Sequence, residues 1–377
     1  MMRVGLLTLP LKHNYGGIIQ ITALNHYLRS EEGAETIHLN KKYNVSRFKV
    51  LARNILKFNP FYRIYDFNGH ARNHHYIVKL RDFVKKELNV STKSIYTGNE
   101  LKRIVDDLKL DVVIVGSDQV WRMLYIKENY KDYFLSFVDS EATRKIAYAA
   151  SFGKDEWEQE DVIPDVKLLL KDFHAISVRE DSGVKLCRKT FDVNEVDHIL
   201  DPTFLPSMAY YESIIKEDYN EEKTIGLFNY VLDKTEMKNK IINDIANEFN
   251  FNINTIYLDN SAQNSKKNKS LKPSMGEWLY HFKNADFIIT DSFHGTIFSI
   301  IFNKQFITIG NKDRGVTRFT SLLRSLGLMN RFILEDSENY KDIITTKIDY
   351  NVINQRLKKL KIESKSFLKR ALLVNDN

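Results

Sequence analysis

The chain has 377 residues, and its 56 lysines and arginines against 49 aspartates and glutamates leave a net charge of +7. This length exceeds that of one typical hydrophobic core, so we expect two domains. No apolar run is long enough to span a membrane, and the single cysteine, Cys187, excludes an internal disulfide, which is typical of a cytoplasmic protein. The ten histidines lack metal-ligand spacing, and no nucleic-acid-binding motif accompanies the surplus charge. We therefore expect no metal site and no nucleic-acid partner.

Strand and helix patterns alternate along the chain, which predicts an α/β fold with parallel sheets. A first series of predicted strands occupies Val4–Leu9, Thr36–Leu39, Val112–Val115, Ile146–Ala150, Ala175–Val178 and His198–Leu200. A second series occupies Thr224–Tyr230, Asn254–Leu258, Phe287–Thr290 and Phe306–Ile309. The predicted architecture is two Rossmann-like domains facing a cleft, as in glycosyltransferase-B folds, with ligands between the carboxyl ends of both sheets.

Pro202 and Pro206 interrupt the alternation and mark the domain boundary. We expect a first domain over 1–203, a second over 204–345, and a C-terminal helix within 346–377 that returns to pack on the first domain. The polar stretch from Asn260 to Lys272 is predicted to be an exposed loop.

A basic, aromatic helical insertion is predicted near 41–90. Between Lys41 and Lys86 the only acids are Asp66 and Asp82, and phenylalanines and tyrosines are interleaved with the lysines and arginines. This composition suits an anionic membrane surface or the diphosphate of a lipid-linked sugar. An irregular insertion with a solvated face explains it equally well. The first alternative predicts peripheral association with the inner face of the cell membrane.

The pentad Ser292-Phe293-His294-Gly295-Thr296 directly follows the apolar run 286–290. A strand that turns through His-Gly into a helix places an imidazole at the carboxyl edge of a sheet, beside free helix amides. Open α/β sheets bind ligands at this edge, and helix N-termini attract anions. The pentad therefore indicates phosphate or carboxylate chemistry, although an isolated histidine of this kind is more often buried and capped.

Six segments, in order, give the chain its resemblance to a known family. They are Asn14-Tyr15-Gly16-Gly17, Gly116-Ser117-Asp118-Gln119-Val120-Trp121, Tyr148-Ala149-Ala150-Ser151-Phe152-Gly153, Ser177-Val178-Arg179-Glu180, Leu200-Asp201-Pro202-Thr203 and Asp291-Ser292-Phe293-His294-Gly295. With these segments the chain resembles the polysaccharide pyruvyl transferase family, whose members move the enolpyruvyl carbons of phosphoenolpyruvate onto two sugar hydroxyls as a cyclic ketal. The resemblance implies a role in capsular or cell-surface polysaccharide biosynthesis. Phosphoenolpyruvate is then a co-substrate, the acceptor is a polyprenyl-diphosphate-linked sugar, and no cofactor or metal is required.

The donor phosphoenolpyruvate is expected on the second domain. We predict His294 as the acid that protonates the enol carbon or as the main phosphate contact, with Ser292 and Gly295 beside it. Arg179 ends a first-domain strand and is expected to reach across the cleft as a catalytic cation, since the family pattern carries an arginine there. The alternative is that Arg179 only pairs with Glu180 or Asp181.

One position departs from the family pattern. Many members have Arg-Leu-His or a similar triplet where this chain has Ser292-Phe293-His294, so the cation two residues before the histidine is missing. Arg314 and Arg318 are the best substitutes, and Lys312 is a weaker one.

The acceptor sugar is expected on the first domain. Asp118 is predicted to accept a proton from a sugar hydroxyl while Gln119 holds a neighbouring hydroxyl; alternatively, Ser117 or Asp118 only caps the next helix. Further acceptor contacts are predicted at His13, Asn14, Tyr15, Gly16, Gly17, Ser117 and Trp121. A core role is at least as probable for Trp121, and Asp201, before Pro202, is interpreted as structural.

Two other functions are compatible with the same fold. A nucleotide-sugar-dependent glycosyltransferase would need an acidic residue for ribose, for which Asp291 or Glu277 are candidates. A non-catalytic carbohydrate- or lipid-binding relative would bind ligand without turnover. Donor dependence distinguishes these alternatives from pyruvyl transfer.

Overall fold

The computed structural model describes residues 1–43, 77–219, 223–256, 272–310, 315–337 and 340–373. Most of the basic insertion, namely residues 44–76, lies outside the described residues, as do Lys312 and Arg314. Lys272 is the only described residue of the polar stretch that begins at Asn260. It is buried, with 6% of its surface exposed, so the prediction of an exposed loop is wrong at this residue.

The first sheet has six parallel strands in the order β2-β1-β3-β4-β5-β6. The strands are β1 Arg3–Leu7, β2 Glu35–His38, β3 Val112–Gly116, β4 Arg144–Ala150, β5 Ala175–Val178 and β6 Asp197–His198. Each begins within two residues of its predicted start. The central strands are buried on both faces, which explains their uninterrupted apolar sequences.

The second sheet has five parallel strands in the order β11-β10-β9-β7-β8. The strands are β7 Leu227–Tyr230, β8 Ile253–Asn254, β9 Phe287–Thr290, β10 Gln305–Gly310 and β11 Phe332–Leu334. The three-residue β11 was not predicted, because so short a run carries no detectable period. In each sheet the strand order reverses between the first and third strands, so ligands are expected at the carboxyl ends of β1, β3, β7 and β9.

Helices connect the strands and cover both sheets. In the described residues they are α1 Tyr15–Ser30, α2 Val78–Glu87, α3 Gly98–Leu108, α4 Met123–Ile126, α5 Tyr130–Tyr133, α6 Ile163–Lys171, α7 Asp181–Thr190, α8 Met208–Asp218, α9 Glu236–Glu248, α10 Met275–Asn284, α11 Phe293–Ile301, α12 Thr317–Leu326, α13 Lys341–Thr345 and α14 Tyr350–Leu372. Short 3₁₀ turns lie at Lys127–Asn129, Glu160–Val162, Pro202–Phe204 and Met329–Arg331. No helix in the described part of the chain is long and apolar enough to cross a membrane.

The long helix α14 packs on both domains. Ile353 and Leu357 join an apolar cluster with second-domain residues, whereas Phe367 and Leu368 pack with the apolar face of the first sheet. The hydroxyl of Ser364 accepts a hydrogen bond from the Leu200 amide at 3.0 Å. Helix α14 therefore ties the two sheets into one arrangement and holds the chain that leads into the Pro202–Phe204 turn.

Candidate functional site

A cavity of about 320 Å³ lies between the two domains. The β1–α1 loop and the end of β3 line it from the first domain, and the β9–α11 turn and α12 line it from the second. The lining includes Lys12, His13, Asn14, Gly17, Asp118, Gln119, Ser292, Phe293, His294 and Arg318. Its volume lies in the ordinary range of small-molecule sites, and its position is where both sheets present their carboxyl ends.

His294 stands in the first turn of α11 with only 6% of its surface exposed. Its Nε2 atom lies 3.7 Å from Asp201 Oδ2, an ion-pair distance longer than a hydrogen bond. Nε2 is buried and has no hydrogen-bond partner among the described residues. Its Nδ1 atom faces Gly16 at the start of α1. An imidazolium at this position would therefore have a carboxylate behind it and the cavity in front.

Asp201 is the centre of the buried polar cluster. Its Oδ1 accepts hydrogen bonds from the amide and hydroxyl of Thr203, at 3.0 and 2.7 Å, which caps the Pro202–Phe204 turn as a structural residue would. Its Oδ2 accepts a 2.7 Å bond from Arg179 Nη1. Burial by itself raises the pKa of this carboxyl, but His294, Arg179 and the Thr203 amide together hold it well below its usual range. The sequence interpretation missed this second role, although the motif Leu200-Asp201-Pro202-Thr203 pointed to the residue.

Arg179 is 3% exposed and its guanidinium is held by two carboxylates. Besides the bond to Asp201, its Nη2 atom lies 3.7 Å from Asp118 Oδ1. Burial lowers the pKa of Arg179, but Asp201, then Asp118 and Glu180, outweigh this effect and raise it. Pairing with Glu180 or Asp181 is therefore the wrong alternative.

Glu180 and Asp181 have other partners. Glu180 Oε1 accepts hydrogen bonds from the Ser151 hydroxyl and from the amides of Phe152 and Gly153, at 2.8 to 3.1 Å. Asp181 pairs with Arg324 at 2.9 Å. Neither acid therefore forms an ion pair with the Arg179 guanidinium, and the bonds to Glu180 fix the loop after β4.

Arg318 is a buried cation on the second-domain side of the cavity. It lines the cavity, is 9% exposed, and has no ion pair with a carboxylate of the described residues. Its guanidinium carbon lies 5.4 Å from the centre of the Phe293 ring, and that of Arg179 lies 4.5 Å from the same ring. Burial, followed by the positive charge of Arg179, lowers the pKa of Arg318 to about 10. An anion in this cavity would compensate the charge of Arg318.

Ser292 and Gly295 shape the start of α11. The Ser292 hydroxyl accepts a 3.3 Å hydrogen bond from the Gly295 amide and caps the helix. A Cβ at Gly295 would lie 2.2 Å from Thr290 Oγ1, so a glycine is needed for α11 to pack against β9. Ser292 lines the cavity, whereas the Gly295 amide is already used by the cap and Gly295 is a packing residue. The prediction that Gly295 contacts the donor is therefore corrected.

Asp118 and Gln119 line the first-domain side of the cavity. Asp118 is 9% exposed, and a Cβ at Gly17 would come within 3.4 Å of its Oδ2. The Gln119 Nε2 atom is buried and has no hydrogen-bond partner in the described part of the chain. A carboxylate and an unsatisfied amide thus stand next to each other at the predicted acceptor side.

Ser117 is buried beneath them. Its amide donates to Gln20 Oε1 at 2.9 Å, and its hydroxyl lies 3.2 Å from Asp201 Oδ2. Helix α4 begins at Met123 without a side-chain cap, so the capping alternative for Ser117 and Asp118 is wrong. Because Ser117 is fully buried, its predicted acceptor contact becomes a supporting contact to Asp201.

Comparison with protein-family models decides the family. The model of the polysaccharide pyruvyl transferase family matches residues 14–313. The chain belongs to the polysaccharide pyruvyl transferase family. It is therefore a transferase of polysaccharide pyruvylation, with a sugar or polysaccharide acceptor.

Solved structures support the fold of this pyruvyl transferase. The UDP-N-acetylglucosamine 2-epimerase of Rickettsia bellii is similar over 99% of this chain and 96% of that chain, with a TM-score of 0.53 and 10% identity. The glycotransferase of kitacinnamycin is similar over 98% of this chain and 97% of that chain, with a TM-score of 0.53 and 10% identity. No curated protein sequence matches the chain significantly. The predicted glycosyltransferase-B-like fold is confirmed, and at these identities the similarity concerns the fold alone.

Two predicted acceptor residues of the pyruvyl transferase lie in its interior. Trp121 is fully buried, stacks on Phe134 with ring centres 5.2 Å apart, and donates from Nε1 to the Tyr133 carbonyl at 3.1 Å. Tyr15 is 1% exposed, stacks on Trp278 at 5.2 Å, and donates from its hydroxyl to the Pro273 carbonyl. Neither ring is available to stack on a sugar. Trp121 is a first-domain core residue, and Tyr15 joins the two domains.

The two acids considered for ribose binding have other partners. Asp291 accepts hydrogen bonds from the amides of Leu232 and Asp233 and from Lys238 Nζ, at 2.7 to 3.0 Å. Glu277 lies in the first turn of α10, where its carboxylate is 3.8 Å from Lys79 Nζ. In the described ranges, no group of three or more His, Cys, Asp or Glu side chains is arranged to hold a metal ion.

Proposed function

We propose that this transferase moves the pyruvyl group of phosphoenolpyruvate onto two hydroxyls of a lipid-linked sugar, in the synthesis of a capsular or cell-surface polysaccharide. The observation that carries the proposal is that one cavity contains both Arg318 and His294. Arg318 is a buried guanidinium without a carboxylate partner in the described residues. A trianionic donor needs a fixed cation and a proton source side by side.

The donor site is built around Phe293. Arg318 binds the phosphate or carboxylate of phosphoenolpyruvate, and the first turn of α11 offers backbone amides to the same anion. Arg179 also lies over the Phe293 ring and contributes positive charge, but Asp201 and Asp118 neutralise it. In this proposal Arg179 positions Asp201 and Asp118, and Arg318 takes over the role of the cation missing before His294.

His294 supplies the proton to carbon 3. The Asp201 carboxylate lies 3.7 Å from Nε2, and the donor phosphate adds a second negative charge beside the ring on arrival. Protonation of carbon 3 makes carbon 2 electrophilic. The Nδ1 edge of the ring packs against Gly16 in the first turn of α1, and this contact holds the imidazole in place.

The acceptor reacts from the first-domain side. Asp118 accepts the proton of the first sugar hydroxyl as its oxygen bonds to carbon 2, and the Gln119 amide holds the neighbouring hydroxyl. The carbon–oxygen bond to phosphate then breaks, and the second hydroxyl closes the ketal on carbon 2. The two sugar hydroxyls release two protons. One returns to His294 and replaces the proton given to carbon 3, and the other leaves on the phosphate, so the reaction needs no other reactant.

Donor dependence tests the proposal. The protein is incubated with phosphoenolpyruvate or with UDP-sugars and a panel of lipid-linked sugars, and both released phosphate and product mass are measured. With phosphoenolpyruvate only, we expect the acceptor to gain the mass of one pyruvyl unit less water. One phosphate should be released for each acceptor molecule modified. Release of UDP in place of phosphate would identify a glycosyltransferase. Binding of both substrates without either release would identify a non-catalytic relative.

A further inference from the structure

Four basic side chains lie close together around the exposed part of the cavity wall that Lys12 and His13 form. Lys12 and His13 belong to the β1–α1 loop and line the cavity, and Lys42 follows β2 next to Tyr43. Lys272 enters from the second domain, where its Nζ atom donates to the His13 carbonyl and lies 4.4 Å from the Tyr15 ring centre. We call these four residues the entrance cluster.

A second feature of the entrance cluster is that its lysines lack acidic partners in the described ranges. No ion pair joins Lys12, Lys42 or Lys272 to a carboxylate in the described part of the chain. Burial and then the charge of Lys12 lower the pKa of Lys42, and burial lowers the pKa of Lys272 to about 8. Burial and the charges of Lys272 and Lys12 lower the pKa of His13. Each of these shifts would be relieved by an anion placed among the four side chains.

Two residues of the entrance cluster, Lys12 and His13, line the same cavity as Arg318 but at a different depth. Lys12 and His13 are exposed, whereas Arg318, His294 and Asp118 are buried. An acceptor that places its reacting hydroxyls at Asp118 therefore has its remaining part directed to the exposed end. Tyr43, whose ring lies 4.9 Å below the Lys12 ammonium, lines the same wall and offers a face for a sugar ring.

We infer that the entrance cluster is a second anion site, which binds the phosphate or diphosphate group attached to the acceptor sugar. This inference rests on the proposed function for the identity of the acceptor, but the anion site itself follows from the four side chains. Such a group is present in lipid-linked and in nucleotide-linked sugars, so the site selects acceptors by their phosphate and not by their lipid.

The variant Lys12→Gln/Lys42→Gln tests the inference with three acceptors that share one sugar. The acceptors are a long-chain lipid diphosphate, a short alkyl diphosphate and a methyl glycoside, each assayed with phosphoenolpyruvate. We expect the variant to raise KM about tenfold or more for both diphosphates and to leave KM for the methyl glycoside unchanged. The matched control is Lys358→Gln/Lys359→Gln, which removes two exposed lysines of α14. An effect on the lipid acceptor alone, an equal effect on all three acceptors, or no effect would each overturn the inference.

A binding measurement keeps the inference testable without turnover. Calorimetric titration with inorganic pyrophosphate should show binding to the wild type that weakens about tenfold or more in the Lys12→Gln/Lys42→Gln variant and persists in Arg318→Gln. Absence of pyrophosphate binding in the wild type, or its loss in Arg318→Gln alone, would contradict a site at the entrance. If pyruvyl transfer itself fails while this pattern holds, the anion site stands and the proposed function does not.

Discussion

Gly16 and His294 belong to different domains and meet across the cleft. A Cβ added at Gly16 would lie 2.1 Å from Nδ1 of His294 and 2.6 Å from its Cγ, closer than any real side-chain contact. The imidazole therefore occupies the space that a side chain at position 16 would fill, while its Nε2 is turned to Asp201. A glycine in the first domain thus sets the position of the proposed acid of the second.

Gly16→Ala should reduce activity by displacing this imidazole. We expect kcat to fall at least about tenfold, since small misplacements of catalytic groups are costly, with an overpacking cost of about 1–3 kcal/mol in unfolding free energy. Gly17→Ala is the matched variant, because its Cβ would lie 3.4 Å from the nearest atom, and its effect should be smaller. Steady-state kinetics and urea unfolding check both. Wild-type kcat in Gly16→Ala would show that the contact does not position His294.

His294→Gln should abolish proton donation while preserving the shape of the side chain. A general acid contributes about 100- to 10,000-fold, so we expect a kcat reduction of that size with little change in donor binding. Phosphate release and equilibrium binding of phosphoenolpyruvate measure the two effects separately. A variant with near-normal phosphate release would remove His294 from the mechanism.

Asp201→Asn should destabilise the protein and weaken its response to acid. Loss of one partner from a buried ion pair costs about 3–5 kcal/mol. The folded-state pKa of Asp201 lies well below the unfolded value of about 3.9, so the unfolded chain binds more protons between the two values. The stabilisation is therefore complete above the unfolded value and is lost as pH falls through the folded value. Urea unfolding between about pH 5 and pH 2.5 should show a steeper loss in the wild type than in the variant, and equal slopes would contradict the assignment.

Arg318→Gln should change the donor KM, whereas Arg179→Gln should change the unfolding free energy. Arg318 has no carboxylate partner among the described residues, so its loss should raise the donor KM about tenfold or more without lowering the unfolding free energy. Loss of Arg179 leaves Asp201 buried without its 2.7 Å partner and should cost about 3–5 kcal/mol of stability. Donor titrations and urea unfolding of both variants decide the matter. The reverse pattern would return the donor-binding role to Arg179.

Trp121→Phe should affect stability and leave acceptor recognition intact. The change removes the indole hydrogen bond to the Tyr133 carbonyl and part of a fully buried ring, so we expect a cost of about 1–3 kcal/mol. The acceptor KM at a temperature where the variant is folded should equal that of the wild type. A raised acceptor KM together with unchanged thermal unfolding would restore the predicted sugar contact.

Most of the fold was predictable from local sequence patterns. Eight of the ten predicted strands overlap strands of the two sheets by at least two residues, because buried parallel strands read as uninterrupted apolar runs. The position of His294 was predictable for the same reason, since it is set by the strand and turn directly before it. The order of the six motifs also identified the family.

Only the tertiary structure decided which charged side chains of the site pair with each other. The sequence contains Arg179, Glu180, Asp181 and Asp201 without indicating which carboxylate the guanidinium meets, and it cannot distinguish a tryptophan in the core from one at a cavity wall. The contact of Lys272 with His13 joins residues 259 positions apart. Local order is set by dihedral preferences and side-chain periods within a few residues, which a sequence displays directly. The charge balance of the site depends on how the two sheets approach each other. Their approach is set by the burial of apolar surface shared between the domains.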